Sequence, residues 1–341
     1  MKYYRLLLLC VAAFALLLAA CGDDDGGGGT TTATGAAAAS PTLAGATATP
    51  SGPFFDCNAQ HPGTDVDSAS FPVTVTDGAG AAVTLTSAPQ KIASLDAAHT
   101  ETLYAIGAAD QVAAVDNTSD CPAQAAAIQA RVDAFNPSLE AITALQPDLV
   151  ITAFDTGDLV VSMRNAGLTV LFLPAPADIN GTYDDIKLVG RATGHAGDAD
   201  ALVTSMSNAV HAIEGAVDGK QAPTVYHEVD NTYYTAGPGS FIADLYKTLG
   251  AANIAESTGE AYPQLSAEAI IAADPQVIVL ADEDYGESAD TVKARPGWSA
   301  IDAVKKGHIY GIDPDIASRA GPRIVDALRT LEADLYPEAA G

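Results

Sequence analysis

The sequence predicts an α/β protein with two Rossmann-like lobes, each built on a mostly parallel sheet, joined by one long interlobe helix. Short apolar strands alternate with amphipathic helices in both halves of the chain, which favours parallel sheets. Between the halves, residues 179–217 have a helical pattern and contain no strand. The 341 residues are enough for two lobes that each bury a core.

The N-terminal region is predicted to contain an export signal and a spacer. Two basic residues precede an apolar run at residues 6–18, which is short for a membrane span, and the run ends in L-A-A-C at Cys21. That ending resembles a bacterial lipobox, in which cleavage leaves the cysteine as a lipid-bearing N-terminus. We therefore expect a lipoprotein signal peptide over residues 1–21 and a flexible tether over residues 22–55. The alternative is an N-terminal anchor that is never cleaved.

Charge and cysteine use fit an exported protein. The sequence has 43 acidic and 16 basic residues, a formal charge of −27, which argues against nucleic acid as a partner. Cys10 lies in the signal, and Cys21 is the predicted lipidation site. Cys57 and Cys121 remain, and in an oxidising compartment we expect them to form a disulfide; two free thiols are the alternative.

The N-terminal lobe is predicted over residues 56–195. Alternating strands flank the turn Asp77-Gly78, and Ser138 is placed to cap a helix. The predicted strands are residues 73–76, 83–86, 92–95, 111–115, 148–153 and 169–173; the predicted helices end at Ile106, Leu145 and Ala166. Gly194 and Gly197 divide the following helical region, and its second part, residues 196–219, is the predicted interlobe helix.

The C-terminal lobe is predicted over residues 220–341. Its first strand, Thr224–Glu228, leads through a polar, aromatic stretch to Ser240, which is placed to cap a helix that ends at Gly250. Further strands are predicted at residues 277–280 and 309–311, and further helices at residues 267–273, 300–305 and 322–335. In open α/β units, ligands bind where strands end and helices begin. The residues expected to face a cleft are therefore His227, Glu228, Asp230, Tyr233 and Tyr234.

An internal repeat supports two related lobes. The pattern E-A-I-x-A-x-x-P begins at Glu140 and again at Glu268, and each glutamate has a serine two residues before it. Serine caps followed by a first-turn acid occur by chance at helix starts. The matching Ala-Ile, Ala and Pro positions favour a structural repeat over that alternative.

Several motifs, in this order and spacing, carry a resemblance to a known family. They are D-G-x-G at residues 77–80, residues 89–95, Thr100-Glu101, N-P-S-L-E at 136–140, P-D-L-V at 147–150, Y-T-A-G-P-G-S-F at 234–241, Asn253-Ile254, R-P-G-W at 295–298 and R-A-G-P-R at 319–323. Together they resemble the periplasmic-binding-protein family for ferric siderophores, haem and cobalamin, the lipid-anchored receptors of ABC importers.

The resemblance implies two sets of functional residues. One surface glutamate on each lobe of such receptors docks onto arginines of the permease, and Glu140 and Glu268 occupy the matching positions. Cobalamin receptors contact their ligand through an Asp and an Arg four residues apart before the final helix, and Asp315 and Arg319 match that placement. An internal salt bridge is the alternative for that pair.

Aromatic and histidine side chains complete the predicted ligand site. Tyr233, Tyr234 and Trp298 are candidates for stacking on a flat, largely neutral ligand. Trp298 has a second interpretation, packing beneath its loop. In the first lobe Phe135 and Phe154 are the rings available. The ligand-binding residues predicted from the sequence are His99, Phe135, His227, Tyr233, Tyr234, Trp298, Asp315 and Arg319.

The function that we expect is capture of a metal chelate, cobalamin or a ferric siderophore or haem, and its delivery to an ABC permease and its ATPase. A metal-ion receptor that uses His99, His227 and Glu228 is the alternative. An enzyme is not expected, because the sequence lacks a Gly-x-Ser-x-Gly elbow and a phosphate loop. We expect a monomer without a cofactor, exported and lipid-anchored on the outer face of the cytoplasmic membrane.

Overall fold

Two parallel sheets organise the part of the chain that the computed structural model describes, residues 52–337. Every strand pair within these two sheets is parallel. The predicted α/β class with two lobes is therefore confirmed. The predicted signal peptide, Cys21 and nearly all of the predicted tether lie outside the described residues.

The first lobe contains a hairpin and a five-stranded sheet. Its strands are β1 (Val73–Thr76), β2 (Ala82–Leu85), β3 (Ile92–Ser94), β4 (Val112–Asp116), β5 (Arg131–Val132), β6 (Leu149–Thr152) and β7 (Val170–Phe172). Its helices are α1 (Ala97–Ala105), α2 (Ala123–Ala126), α3 (Leu139–Ala144), α4 (Leu159–Asn165) and α5 (Ile179–Thr193). β1 and β2 pair antiparallel, and the sheet has the order β5-β4-β3-β6-β7, with the first strand of the sheet at its centre.

A long helix, α6 (Ala196–Val217), connects the lobes. Gly194 ends α5 with a φ of 83°, a left-handed conformation that suits glycine, and α6 begins two residues later. Gly197, which the sequence analysis expected to help divide the two helices, lies within α6. The buried side chains of α6 recur at helical spacing along one face: Ala199, Val203, Met206, Val210, Ile213 and Val217.

The second lobe contains a four-stranded sheet. Its strands are β8 (Thr224–Glu228), β9 (Ala252–Asn253), β10 (Val277–Leu280) and β11 (Ile309–Gly311). Its helices are α7 (Phe241–Thr248), α8 (Ala267–Ala273), α9 (Ala289–Ala294), α10 (Asp302–Lys306), α11 (Pro314–Ser318) and α12 (Ile324–Leu335). The sheet order is β11-β10-β8-β9. The hydroxyl of Ser240 accepts a hydrogen bond from Ala243 N and caps α7, as the sequence predicts.

The repeat predicted from the sequence is present as corresponding elements of the two lobes. α3 leads into β6 and α8 leads into β10, and both helices begin after a serine, Ser138 or Ser266, whose side chain accepts a backbone hydrogen bond. Just before the shared proline, the backbone adopts positive φ in both copies, 49° at Gln146 and 47° at Asp274. The repeat therefore extends from sequence to backbone conformation.

One hydrophobic core continues from the first lobe into the second. It includes Leu171 of the first sheet, Val189 of α5, Val210 of α6 and Val279 of the second sheet, together with Leu328 of α12. A separate small core lies within each lobe. Because α5 and α6 contribute to the shared core, the lobes are packed together through these helices as well as linked by the chain.

The N-terminal strap, residues 52–57, fastens the start of the described chain to both lobes. Phe54 N and Phe55 N donate hydrogen bonds of 2.6 and 3.2 Å to the carboxylate of Asp326 in α12. Cys57 forms a disulfide with Cys121 of the first lobe, with their Cα atoms 5.0 Å apart. The predicted disulfide is present, and the folded body begins before residue 56, the predicted lobe boundary.

Candidate functional site

Arg319 shows that the carboxyl ends of the two sheets face each other. It follows β11 and α11 in the second lobe, and its guanidinium group reaches the loop that follows β4 in the first lobe. There Nη1 lies 2.7 Å from Asp120 Oδ1 and Nη2 donates to the carbonyl of Thr118 at 3.0 Å. The edges at which α/β proteins bind ligands therefore meet at the junction of the two lobes.

A buried carboxylate strengthens this contact between lobes. Glu101 in α1 is fully buried and receives two hydrogen bonds from Arg323, at 3.0 and 2.6 Å, and one from Arg319 at 3.1 Å. Burial raises the pKa of the Glu101 carboxyl, and the two guanidinium groups oppose that shift. Sequence analysis assigned no partner to Glu101, because nothing in the sequence marks a contact between residues 222 positions apart.

Asp315 and Arg319, the predicted ligand-binding pair, form an ion pair at 2.6 Å. Burial raises the pKa of Asp315, the nearby Arg319 opposes that shift, and the neighbouring Asp120 and Asp313 add to it. The side chain of Asp315 is 39% exposed, whereas that of Arg319 is only 10% exposed. Asp315 is therefore the more accessible member of the pair.

His99 lies in the first turn of α1, beside the helix cap. Asp96 Oδ1 accepts a hydrogen bond from His99 N and lies 3.0 Å from Nδ1 of the ring. Burial alone would lower the pKa of His99, but the charge of Asp96 more than offsets this, and the pKa is raised. Burial alone would raise the pKa of Asp96, but the charge and hydrogen bonds of His99, together with the charge of Arg319, lower it.

Tyr233 and Trp298 form a stacked pair in the second lobe. Their ring centroids are 5.7 Å apart, and Tyr233 adopts a φ of 70°, which is uncommon for a side chain of this size. Trp298 is fully buried and Tyr233 is partly exposed. The structure thus favours the packing interpretation of Trp298. The Trp298 ring packs against the buried side of Tyr233 and has no exposed face for a ligand. The prediction that Trp298 contacts ligand is corrected on this ground.

His227 lies in the interior of the second lobe. It is 1% exposed, and its Nδ1 is 2.7 Å from the hydroxyl of Tyr246 in α7. Burial lowers its pKa to about 4, so the ring is neutral at physiological pH. His227 therefore packs beneath the sheet edge, contrary to the prediction that it faces the ligand.

The alternative metal site is not assembled in the described residues. Glu228 is bonded at 2.6 and 2.5 Å to Arg295, and His227 is bonded to Tyr246. Nowhere in residues 52–337 do three or more His, Cys, Asp or Glu side chains form a group suited to a metal ion. His99, in the first lobe, is paired with Asp96.

The remaining predicted aromatic residues lie after strands of both sheets. Phe135 follows β5, and its ring centroid is 5.3 Å from that of Phe154, which follows β6. Both are partly exposed, as is Tyr234, whose backbone bridges to Gln264. The carboxyl edge of the first lobe therefore carries an aromatic pair, and that of the second carries Tyr233.

Two further acidic side chains lie at these edges: Asp120, to which the sequence analysis gave no role, and Asp282, which the sequence offered only as part of a metal-binding alternative. Asp282 comes two residues after β10 and is 2% exposed. Burial, together with the charges of Glu228 and Glu287, raises its pKa to about 7.

Glu140 and Glu268 lie on exposed first turns of α3 and α8, one in each lobe. Their equivalent placement follows from the repeat. A pair of carboxylates displayed in this way fits a partner that engages both lobes at once. The positions are consistent with the docking role that the resemblance implies.

The fold and the cleft define a two-lobed solute receptor, and comparison with known proteins agrees. The family model described as periplasmic binding protein matches residues 92–316. An uncharacterised ABC transporter substrate-binding lipoprotein of Bacillus subtilis is 32% identical over 278 residues, covering 79% of this chain and 87% of that protein. The chain belongs to the periplasmic binding protein family.

Two further relatives bear on the site. A cobalamin-binding protein of Halobacterium salinarum is 32% identical over 290 residues, covering 80% of this chain and 76% of that protein. The crystal structure of a possible iron-binding, periplasmic solute-binding protein of Staphylococcus epidermidis has a TM-score of 0.65 at 29% identity, covering 73% of this chain and 99% of that one. No helix among residues 52–337 is both long and apolar enough to cross a membrane.

Proposed function

We propose that this chain is the substrate-binding lipoprotein of an ABC importer, which captures a metal chelate in the cleft and delivers it to the permease and its ATPase. The observation that carries the proposal is the contact of Arg319 with Thr118 and Asp120, because it brings the carboxyl edges of both sheets together. The similarity to a substrate-binding lipoprotein and to a cobalamin-binding protein supports it.

Cobalamin is the first-choice ligand, and a ferric siderophore or haem is the second. The proposed contacts are Asp315 and Arg319 at one end of the cleft and the partly exposed aromatic rings Tyr233, Tyr234 and Phe135 along its two edges. Aromatic faces stack on flat conjugated rings, and paired polar groups orient the periphery of such a ligand. His99 contributes from the first lobe.

Export and attachment are part of the proposal. The tether would hold the body, acting as a monomer, at the outer face of the cytoplasmic membrane through lipid on Cys21. Labelling with a radioactive fatty acid in cells should mark the protein, and substitution of Cys21 by serine should abolish the label without changing ligand affinity. Undiminished labelling of the Cys21→Ser protein would contradict lipid attachment at this residue.

The function is tested by titrating the full-length chain in mild detergent with cyanocobalamin, haem and a panel of ferric siderophores. Trp298 is the only tryptophan in the sequence, and it lies beneath Tyr233, so its fluorescence reports on one site. Saturable one-to-one quenching, with matching heat in calorimetry, is expected for one chelate class. Absence of binding by every chelate, together with binding of a bare zinc or iron ion, would replace the proposal with the metal-ion receptor.

A further inference from the structure

The arginines that connect the lobes are already paired with carboxylates. Arg323 is bonded to Glu101, and Arg319 contacts Glu101, Asp120 and Asp315 at 3.1, 2.7 and 2.6 Å. Three acidic side chains therefore surround Arg319. An anionic ligand group that approached this guanidinium group would compete with carboxylates that the protein itself supplies.

Arg295, in the second lobe, is also paired with carboxylates. Arg295 donates hydrogen bonds to both carboxylate oxygens of Glu228, at 2.6 and 2.5 Å, and to one oxygen of Glu287 at 2.7 Å. Its guanidinium carbon lies 4.6 Å from the ring centroid of Trp298 and 5.5 Å from that of Tyr233. The charge of Arg295 is thus balanced by Glu228 and Glu287. Its guanidinium group, which lies against the Tyr233 ring, is not placed to bind an anionic group of a ligand.

Asp282 adds an acidic group that no cation balances directly. It is 2% exposed, and neither carboxylate oxygen has a hydrogen-bond partner among the described residues. Glu228 and Glu287 are near enough to perturb it. Arg131, in β5 of the first lobe, donates to four backbone carbonyls between residues 116 and 126 and offers no counter-charge to Asp282.

We infer that the cleft selects chelates without net negative charge, neutral or cationic, and rejects anionic ones. The inference rests on the proposed function and names the class of its ligand. Among the described residues, the paired arginines leave no unoccupied guanidinium group for an incoming anion, while Asp120, Asp315 and the ionised form of Asp282 oppose it by like-charge repulsion. Neutral corrinoids and neutral or cationic hydroxamate chelates fit this cleft; tris-catecholate chelates and haem with two ionised propionates do not.

The test compares ligands that share a core and differ in charge. The pairs are cyanocobalamin with its monocarboxylic acid derivative, ferrioxamine B with its N-succinyl derivative, and haem dimethyl ester with haem. Quenching of Trp298 in the full-length chain gives the dissociation constant of each. For the class that binds, we expect the acid form to bind at least about tenfold more weakly, which is about 1.4 kcal/mol. We also expect added salt to reduce this difference.

Single substitutions test which acidic side chains cause the difference in affinity between the acid and neutral forms. At about pH 8.5, where Asp282 with its pKa of about 7 is ionised, Asp282→Asn and Asp120→Asn should each lower the ratio of acid-form to neutral-form dissociation constants, because each removes one repelling charge. Asp200→Asn, an exposed acid on α6, is the matched control and should leave the ratio unchanged. A purely structural effect of Asp282 or Asp120 would weaken both ligand forms equally and leave the ratio as it was.

The outcomes separate the two proposals. Equal or tighter binding of the acid forms would overturn the charge inference while the receptor function stands. A ratio insensitive to both Asp282→Asn and Asp120→Asn would also overturn it. If no chelate in the panel binds, the proposed function fails and the inference fails with it.

Discussion

At the scale of single residues, Asp282 makes stability depend on pH. Its folded pKa of about 7 lies above the ordinary value of 3.8, so the folded state holds more protons than the unfolded chain between these values. The free energy of unfolding should therefore fall as pH rises through this window. Besides Glu228 and Glu287, which raise its pKa, the opposing charge nearby is that of Arg295.

The Asp282→Asn variant tests this dependence. Because asparagine does not titrate, the melting temperature of the variant relative to the parent should increase between about pH 5 and about pH 8. Thermal unfolding followed by circular dichroism measures it, with Asp200→Asn as the control. A difference in melting temperature that is constant across this range would show that Asp282 does not titrate there.

Glu101 is expected to be the most costly acidic residue to neutralise. Glu101→Gln would leave Arg323, which is 6% exposed, without its carboxylate partner. Breaking a buried pair by removing one member typically costs about 3–5 kcal/mol. Denaturant unfolding measures the loss, and Glu256→Gln, at an exposed acid, should cost almost nothing. Equal effects of the two substitutions would mean that the Glu101 pair contributes little.

At the scale of elements, the repeated helix starts carry Glu140 and Glu268, the two glutamates predicted to dock onto the permease. We expect Glu140→Arg with Glu268→Arg to abolish ligand uptake in cells while the purified variant keeps its affinity, since both side chains lie on exposed first turns. Charges at such rims act mainly on specificity and register. Glu214→Arg with Glu256→Arg, at two exposed acids elsewhere, is the matched control. Lost affinity in the first variant would contradict the docking role.

The disulfide belongs to the same scale, because it ties the N-terminal strap to the loop that carries Asp120. Replacing Cys57 and Cys121 by serine should lower the free energy of unfolding by roughly 4 kcal/mol in the chain-entropy model for a separation of 64 residues. Hydrogen exchange at residues 116–121 should also become faster. Unchanged exchange there would show that the loop is held by its other contacts.

The elements that the sequence predicted best are the ones with strong local signals. β8, β10, β11 and α8 have the predicted bounds, since each is a short apolar run or a serine-capped helix. The two-residue strands β5 and β9 are too short to display alternation, and α2, α9 and α11 are single-turn or nearly so. These five elements were not predicted.

The site was predicted less completely than the fold, for a physical reason. A position after a strand places a residue near the cleft but does not decide whether its side chain points outward. The side chains of His227 and Trp298 are buried in the second lobe, where His227 contacts the hydroxyl of Tyr246 and Trp298 stacks against Tyr233. The pairing of Glu101 with Arg323 depends on how two lobes meet, which local sequence does not encode.

At the scale of the whole molecule, the shared core limits how far the lobes can move. α5 and α6 contribute side chains to a core that continues into both sheets, and close-packed interiors do not deform continuously. We therefore expect only a small closure on ligand binding. Small-angle scattering with and without the bound chelate measures it. A large drop in the radius of gyration would show that the cleft closes by a hinge motion instead.

The N-terminal strap joins the beginning of the folded chain to its last helix. A polypeptide that is exported with its N-terminal end first, as proposed for this chain, presents Phe54 and Phe55 before Asp326. Asp326 is 272 residues from Phe54. The strap can therefore close onto α12 only after α12 itself has been translocated. A product truncated before α12 would leave the backbone amides of Phe54 and Phe55 without their acceptor, and this segment would become a site for proteolysis.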